Sequence, residues 1–267
     1  WILGVDVDST DNLLFIRYRN LSKNETSLKN KGGISVYSLA DQRMLWQRPV
    51  NYFKQDPKLT SEGVLFVTMG KATSLLDLKT GNEVWKKKKM IPYCVDAKNR
   101  MFLAYKGSYM NGVSNELEGH SLATGEKMWS RKMSHVYGWN ESGLLDDSTR
   151  LIVSDGIHLV HMGNGEGPSY AMPTGASDYK EAVALGALGV VTGVLTGFAA
   201  VPTGPKKVME LVSNVLSDDT VFYVASRENL FCLDRQLQPK WGYPIPDGMG
   251  SRSHLFARGD SLYMINM

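Results

Sequence analysis

Five histidines, two cysteines and a few paired carboxylates are what this 267-residue sequence offers for catalysis or metal binding. His158 and His161 stand three residues apart in IHLVHMG, a spacing that would make a metal pair on a helix. The pattern there is that of a strand, where i and i+3 point to opposite faces, so a shared metal is not expected. His120 falls inside a strand and is expected to be hydrogen-bonded within it. His135 and His254 fall near connections, with no partner motif beside them. Cys94 and Cys232 lie in apolar runs, PYCVD and LFCLD, where cysteine serves as a small buried hydrophobe. Their separation excludes a CxxC motif and a disulfide scaffold. Asp146-Asp147 and Asp218-Asp219 read as hairpin-turn residues rather than an acid–base pair. No HExxH, GxSxG or P-loop pattern occurs. The residue types therefore assign no catalytic, metal or cofactor-binding side chain, and no cofactor is expected.

Charge narrows the partners further. A net charge of +3 is too weak for a nucleic-acid binder, and 43% hydrophobic with 21% charged residues is ordinary globular composition. The run Lys86-Lys87-Lys88-Lys89 could meet an anionic partner, but lysines on an outer strand also discourage edge-to-edge pairing, and that reading is preferred.

The elements that would position any site come from an internal repeat. A turn leads into a short apolar strand at STDN-LLFIRYR, TSEG-VLFVTMG, DAKN-RMFLAYKG, DDST-RLIVSDG, SDDT-VFYVASR and RGD-SLYMINM. A second unit follows, of strand, polar turn and strand ending in an aromatic, at Trp46, Trp85, Trp129, Tyr170 and Trp241. Thr80-Gly81 and Thr124-Gly125 supply the positive φ that such a turn requires. Four short strands every ~40 residues is the period of a propeller blade. The expected fold is all-β: about five complete four-stranded blades and the start of a sixth. Blade one is expected to carry a polar loop from Asn20 to Gly33. A sandwich of many strands is the competing architecture, but it does not predict the same tryptophan after the same turn.

The segments LLDLKTGNEVW and GHSLATGEKMW resemble the repeat of the PQQ-like, or quinoprotein-like, β-propellers, which reads A-x-D-x-x-T-G-x-x-x-W. Asp77, Thr80, Gly81 and Trp85 fit it, as do Thr124, Gly125 and Trp129, with Ser121 where the family favours Asp. The other copies keep the aromatic and lose the Thr-Gly pair. Each closing tryptophan is expected to be buried between adjacent blades, its indole N–H finding an acceptor. The enzymatic branch of this family usually has adjacent cysteines, a calcium or lanthanide site and a catalytic Asp; this sequence has no Cys-Cys pair. The resemblance implies a non-catalytic binding or scaffold protein of the bacterial periplasm or outer envelope, with a protein partner or small ligand at a propeller face. A PQQ- or metal-dependent dehydrogenase is the alternative, and a carbohydrate-binding or carbohydrate-processing propeller a weaker one.

Residues 178–207 form an insertion within the single domain, 1–267. From Ala182 to Gly204 no charge occurs, and Asp178 with Glu181 makes a capping pattern before it. Gly186, Gly189, Gly193 and Gly197 share one helical face and mark the segment as a candidate interaction element. A glycine-faced helix or hairpin packed on the propeller or a partner is expected, with peripheral membrane contact as the alternative. The opening on Trp1 and the apolar close at SLYMINM read as cuts through a longer protein.

Overall fold

The computed structural model describes every residue except 25–26, 69–70, 109–111, 134–140, 155, 172–173, 177–206, 210–212, 227, 247–252 and 267. The glycines of the insertion and His135 lie outside the described residues.

Alternation of apolar and polar residues between turns produces strands almost throughout. Among the described residues five four-stranded antiparallel sheets follow one another, each a simple meander in chain order. The first holds β1 (Ile2–Asp8), β2 (Leu13–Leu21), β3 (Leu28–Ser38) and β4 (Arg43–Asn51). The second holds β5 (Gln55–Thr60), β6 (Gly63–Thr68), β7 (Ala72–Leu76) and β8 (Glu83–Lys88). The third holds β9 (Met90–Asp96), β10 (Met101–Ser108), β11 (Gly112–Ser121) and β12 (Lys127–Lys132). The fourth holds β13 (Glu141–Leu144), β14 (Thr149–Val153), β15 (Gly156–His161) and β16 (Ser169–Ala171). Next come β17 (Thr174–Ala176) and β18 (Lys207–Met209), paired only with each other, so the two flanks of the insertion run side by side. The fifth four-stranded sheet holds β19 (Leu216–Ser217), β20 (Val221–Ala225), β21 (Asn229–Asp234) and β22 (Pro239–Pro244). A two-stranded sheet, β23 (Ser253–Arg258) with β24 (Ser261–Asn266), completes the order. These are the four-stranded blades of a β-propeller.

The described residues fall into two compact units, Trp1–Ser130 and those from Arg131 onward. Within the first, Leu13, Phe15, Ile34 and Val36 of the first sheet pack against Val64, Phe66 and Leu76 of the second. The opposite face of the second sheet gives Leu65, Leu75 and Trp85, which pack with Phe102, Ala104 and Leu122 of the third. Within the second unit, Val153, Ile157 and Leu159 meet Phe222, Val224, Leu233 and Leu237. Each core is a face-to-face joint between consecutive blades, which is why middle strands carry apolar residues on both faces.

One expectation is corrected here. The segment from Asn20 to Gly33 is not a long loop, because β2 and β3 continue into it and Leu21 pairs with Leu28. Arg19 locks this longer hairpin, donating from Nε to the Lys29 carbonyl and from Nη2 to Asn30 Oδ1.

Candidate functional site

The turn joining the third and fourth strands has one construction in the second, third and fourth blades. The Asp77 N–H donates to the Asn82 carbonyl and the Gly81 N–H to the Asp77 carbonyl. Ser121, Gly125 and Glu126 repeat both bonds, as do His161, Gly165 and Glu166. The turn needs a left-handed residue, and Gly81 (φ 70°), Gly125 (φ 67°) and Gly165 (φ 77°) supply it. Gln42 (φ 55°) adopts that conformation in the first blade without being glycine, and Leu237 (φ 56°) does so in the fifth, where the turn is one residue shorter. Asp77 Oδ1 accepts from both the N–H and the hydroxyl of Thr80, which explains the Asp-x-x-Thr spacing and holds its carboxyl below the usual range.

These turns are the seats of the tryptophans. Half-buried Trp46 donates its indole N–H to the Leu78 carbonyl of the next blade at 2.7 Å. A methyl group on Gly81 would lie 2.7 Å from its ring, so the indole rests on the glycine. Trp85 repeats the arrangement one blade on, with its N–H 2.8 Å from the Leu122 carbonyl and its ring over Gly125. It is buried and also stacks on Phe102, the centroids 5.7 Å apart. Thr124 contributes its hydroxyl to the Glu126 N–H inside that turn. Trp129 is equally buried and lies close over Gly119 of its own sheet.

Two repeat positions need correction. Trp241 is 45% exposed rather than buried. It keeps the register of the others, since Cys232 faces Trp241 as Leu75 faces Trp85 and Val36 faces Trp46. Its cover would be the third-to-fourth-strand turn of the following blade, and β23 and β24 are that blade's first two strands. Tyr170 is not at the tryptophan position at all. It pairs with Ile157, which by the turn hydrogen bonds matches Thr73, and Thr73 faces Lys87. The residue opposite Leu159, in the place of Trp85, is Pro168, whose carbonyl accepts the Leu159 N–H. The strands of Trp46, Trp85 and Trp241 carry a β-bulge at this point, and the fourth blade does not, so its aromatic arrives two places late.

A cleft of about 440 Å³ opens where that tryptophan is missing. Leu159, Gly167 and Pro168 form one wall and Arg235 with Gln236 of the fifth blade the other. Asp146, Thr149, His161 and Glu166 sit at its rim. Asp146 is committed to its turn: Oδ1 accepts from the N–H groups of Ser148 and Thr149, which holds the carboxyl low. Asp218 does the same for Thr220 and Val221. Arg235 donates to the carbonyls of Asp218 and Asp219, and its guanidinium lies 4.7 Å from the centre of the Phe222 ring.

Below this cleft Arg131 is a structural hub. It donates to the carbonyls of Leu159, Gly165, Gly167 and Pro168 and to Ser169 Oγ, and burial holds its pKa below the usual value. Arg48, also two residues after a tryptophan, reaches the Gly81 carbonyl at 3.2 Å. Lys87 occupies the same position after Trp85, so one member of the lysine run belongs to the repeat. Lys86 pairs with Glu83 at 3.1 Å on the outer strand.

The histidines do not converge. Buried His158 takes Ser169 Oγ at 2.8 Å through Nδ1, while exposed His161 faces the cleft. His120 is held between Glu118 and the Gly125 carbonyl and stacks on Phe102. His254 is exposed on β23. Cys94 on β9 and Cys232 on β21 lie in different sheets and are not joined in a disulfide. Among the described residues no group of three or more His, Cys, Asp or Glu is placed to hold a metal.

One charged group went unnoticed in the sequence. Asp56 and Lys58 alternate on β5 and share their surroundings with Arg17, which pairs with Asp6 at 3.1 Å. Burial raises the Asp56 carboxyl to about 6 against the opposing charges of Lys58 and Arg17. Burial also lowers the Lys58 ammonium to about 8, while Asp56 opposes that shift. Asp56 Oδ2 and Arg17 Nε are buried without a hydrogen-bond partner among the described residues. The sequence signal was an Asp-x-Lys alternation on β5, QDPKLT.

Comparison with known proteins agrees with the repeat. No curated protein matches the sequence. Among solved structures the fold resembles BamB from Moraxella catarrhalis, with 15% identity, a TM-score of 0.40, and 99% of this chain and 82% of that one covered. The quinohemoprotein alcohol dehydrogenase ADHIIG from Pseudomonas putida HK5 shows 11% identity and a TM-score of 0.45, over 88% of this chain and 41% of that one. The C-terminal WD40 domain of Sif2 shows 10% identity and a TM-score of 0.44, over 96% and 60%. The family match is the decisive one: residues 22–238 match the PQQ-like family described as outer membrane protein assembly factor BamB, and the chain belongs to that family.

Proposed function

We propose that this chain is a non-catalytic scaffold propeller of the bacterial cell envelope, holding a protein partner at one face and working in outer-membrane protein assembly. The observation that carries this is the family match over residues 22–238. The construction of the blades supports it: repeat side chains such as Trp46, Trp85, Asp77 and Thr80 are spent on joining blades and building turns. The periplasm or the outer envelope is the compartment this reading requires. The chain is one propeller domain interrupted at 178–207, and that glycine-rich segment is a second contact surface toward a partner or a membrane surface.

The test is cross-linking of the natural full-length protein in intact cells, followed by identification of what it holds. Recovery of an outer-membrane barrel assembly component, with no quinone-dependent turnover of alcohols by the purified protein supplied with PQQ and calcium, supports the proposal. Turnover under those conditions, or exclusive recovery in the cytoplasm, overturns it.

A further inference from the structure

We infer that one end of the first three blades is a docking trough for an acidic segment of a partner protein. In a four-stranded antiparallel meander, the turn between the second and third strands falls at the same end as the connection to the next blade. At this end the three blades differ in height. Phe15, Leu65 and Leu103 share one register, each pairing with the residue two places before its own third-to-fourth-strand turn: Val36, Leu75 and Gly119. Beyond them β2 runs six residues to Leu21 and β10 five to Ser108, whereas β6 runs only three to Thr68. At ~3.3 Å per residue, the hairpins of the first and third blades rise roughly 7–10 Å above that of the second. The second blade is packed between the other two, so its short turn is the floor of a trough.

The walls are held by the connections beside them. The Tyr52 N–H donates to the Asn30 carbonyl and its hydroxyl to the Gly33 carbonyl. Arg19, already tied to Lys29 and Asn30, lies over the Tyr52 ring at 5.9 Å. On the other wall the Gly107 N–H donates to the Lys89 carbonyl. Lys29 and Lys31 are exposed on the first wall and Lys106 on the second. Between them Lys54, Lys71, Lys88 and Lys89 are exposed as well. Among the described residues none of these lysines pairs with a carboxylate, and the exposed acid at this end is Glu116. The opposite end is built differently: Lys79 meets Asp11 at 2.7 Å, Arg100 meets Glu62 at 2.6 Å and Arg43 lies 3.8 Å from Asp41. These blades thus neutralise one end within themselves and leave the other basic, where like charges repel until an anion joins them. Phe53, 66% exposed in the connection between β4 and β5, adds an apolar contact. A concave basic surface with an exposed aromatic suits an extended chain carrying carboxylates beside apolar side chains. A flat anionic bilayer would rest on the two hairpins and stay roughly 7–10 Å from Lys71, about a Debye length at physiological salt.

This deepens the scaffold reading, on which it rests for the occupant being part of a protein. The experiment uses the natural full-length protein and a fluorescein-labelled peptide of glutamates flanking a central phenylalanine, read by fluorescence anisotropy. Saturable binding that weakens with added salt is expected. Lys54→Glu with Lys71→Glu should weaken it about tenfold or more, whereas Lys240→Glu with Arg258→Glu, the same change in net charge, should weaken it less than about twofold. All four side chains are exposed, so both double variants are expected to melt no lower than the unsubstituted protein. Should the first pair fail to fold, Lys71→Gln decides in the same assay, with weaker binding expected and unchanged binding overturning the inference. Equal weakening by the two pairs would mean attraction by net charge alone and overturns it, as does an absence of saturable binding. Retention of anionic phospholipid vesicles, lost with Lys54→Glu and Lys71→Glu and unaccompanied by peptide binding, would assign the surface to lipid and overturn it too. In each of these cases recovery of an assembly component by cross-linking leaves the scaffold reading standing; peptide binding without such recovery faults that reading instead.

Discussion

Replacing Trp85 and Trp241 separately by alanine tests whether the blade joint is what gives the repeat tryptophan its energetic weight. Trp85 is 8% exposed, stacks on Phe102 and donates to the Leu122 carbonyl. Deleting a buried tryptophan costs roughly 3–5 kcal/mol, and the Leu122 carbonyl loses a hydrogen bond worth about 1 kcal/mol within that total. Trp241 has the same register but is 45% exposed, and it retains a tilted contact with Tyr223 at 6.0 Å. With about half of the ~200 Å² a tryptophan can bury, its removal is worth on the order of 2–3 kcal/mol. The two substitutions should therefore differ by about 1–2 kcal/mol, read as midpoint shifts in urea at constant slope. Equal costs would refute the argument, because the indole would then owe its contribution to its own sheet and not to the neighbouring turn.

Three further outcomes follow from the geometry. Gln42→Gly should stabilise the protein by roughly 0.5–1 kcal/mol, since Gln42 is exposed and sits at φ 55°, whereas Gly125→Ala should destabilise it by at least ~1–2 kcal/mol, strained at φ 67° and with its methyl group pressed into Trp85; thermal melts of both decide this. Burial raises the Asp56 carboxyl to about 6, above its ordinary 3.8, so the unfolded chain ionises first and stability falls as pH rises from about 4 through about 6. Asp56→Asn should flatten that fall and be the more stable protein at pH 7 to 8; an unchanged pH profile would contradict the burial. Arg131→Lys keeps the charge and loses the fork to four carbonyls, so it should cost about 2–3 kcal/mol and show as faster amide exchange over residues 157–170.

The blades were legible in the sequence because their determinants are local. A turn that needs a left-handed residue selects glycine, an Asp-x-x-Thr spacing closes that turn on itself, and alternating apolar runs make strands of matching length. Phe15, Phe66, Phe102, Ile152 and Phe222, each central to a second strand in the sequence pattern, are all buried in the structure. Gln42 hid the turn of the first blade and Leu237 the shorter one of the fifth, because a non-glycine residue can take the left-handed conformation when the surrounding structure demands it.

What the sequence could not decide depends on pairing across strands and on what lies against each face. Spacing alone put Tyr170 among the tryptophans; only register, through the missing bulge opposite Leu159, shows Pro168 in that place and a cleft beside it. Spacing likewise made Trp241 equivalent to Trp85, and in its own sheet it is, but burial comes from the adjoining blade. The shifted carboxyl of Asp56 and ammonium of Lys58 arise from burial, which exists only after strands far apart along the chain have packed. The repeat thus determined which elements form and in what order. The contacts between them, which cost conformational entropy to assemble and are invisible to local propensity, determined which repeat positions are filled, which are exposed and which is empty.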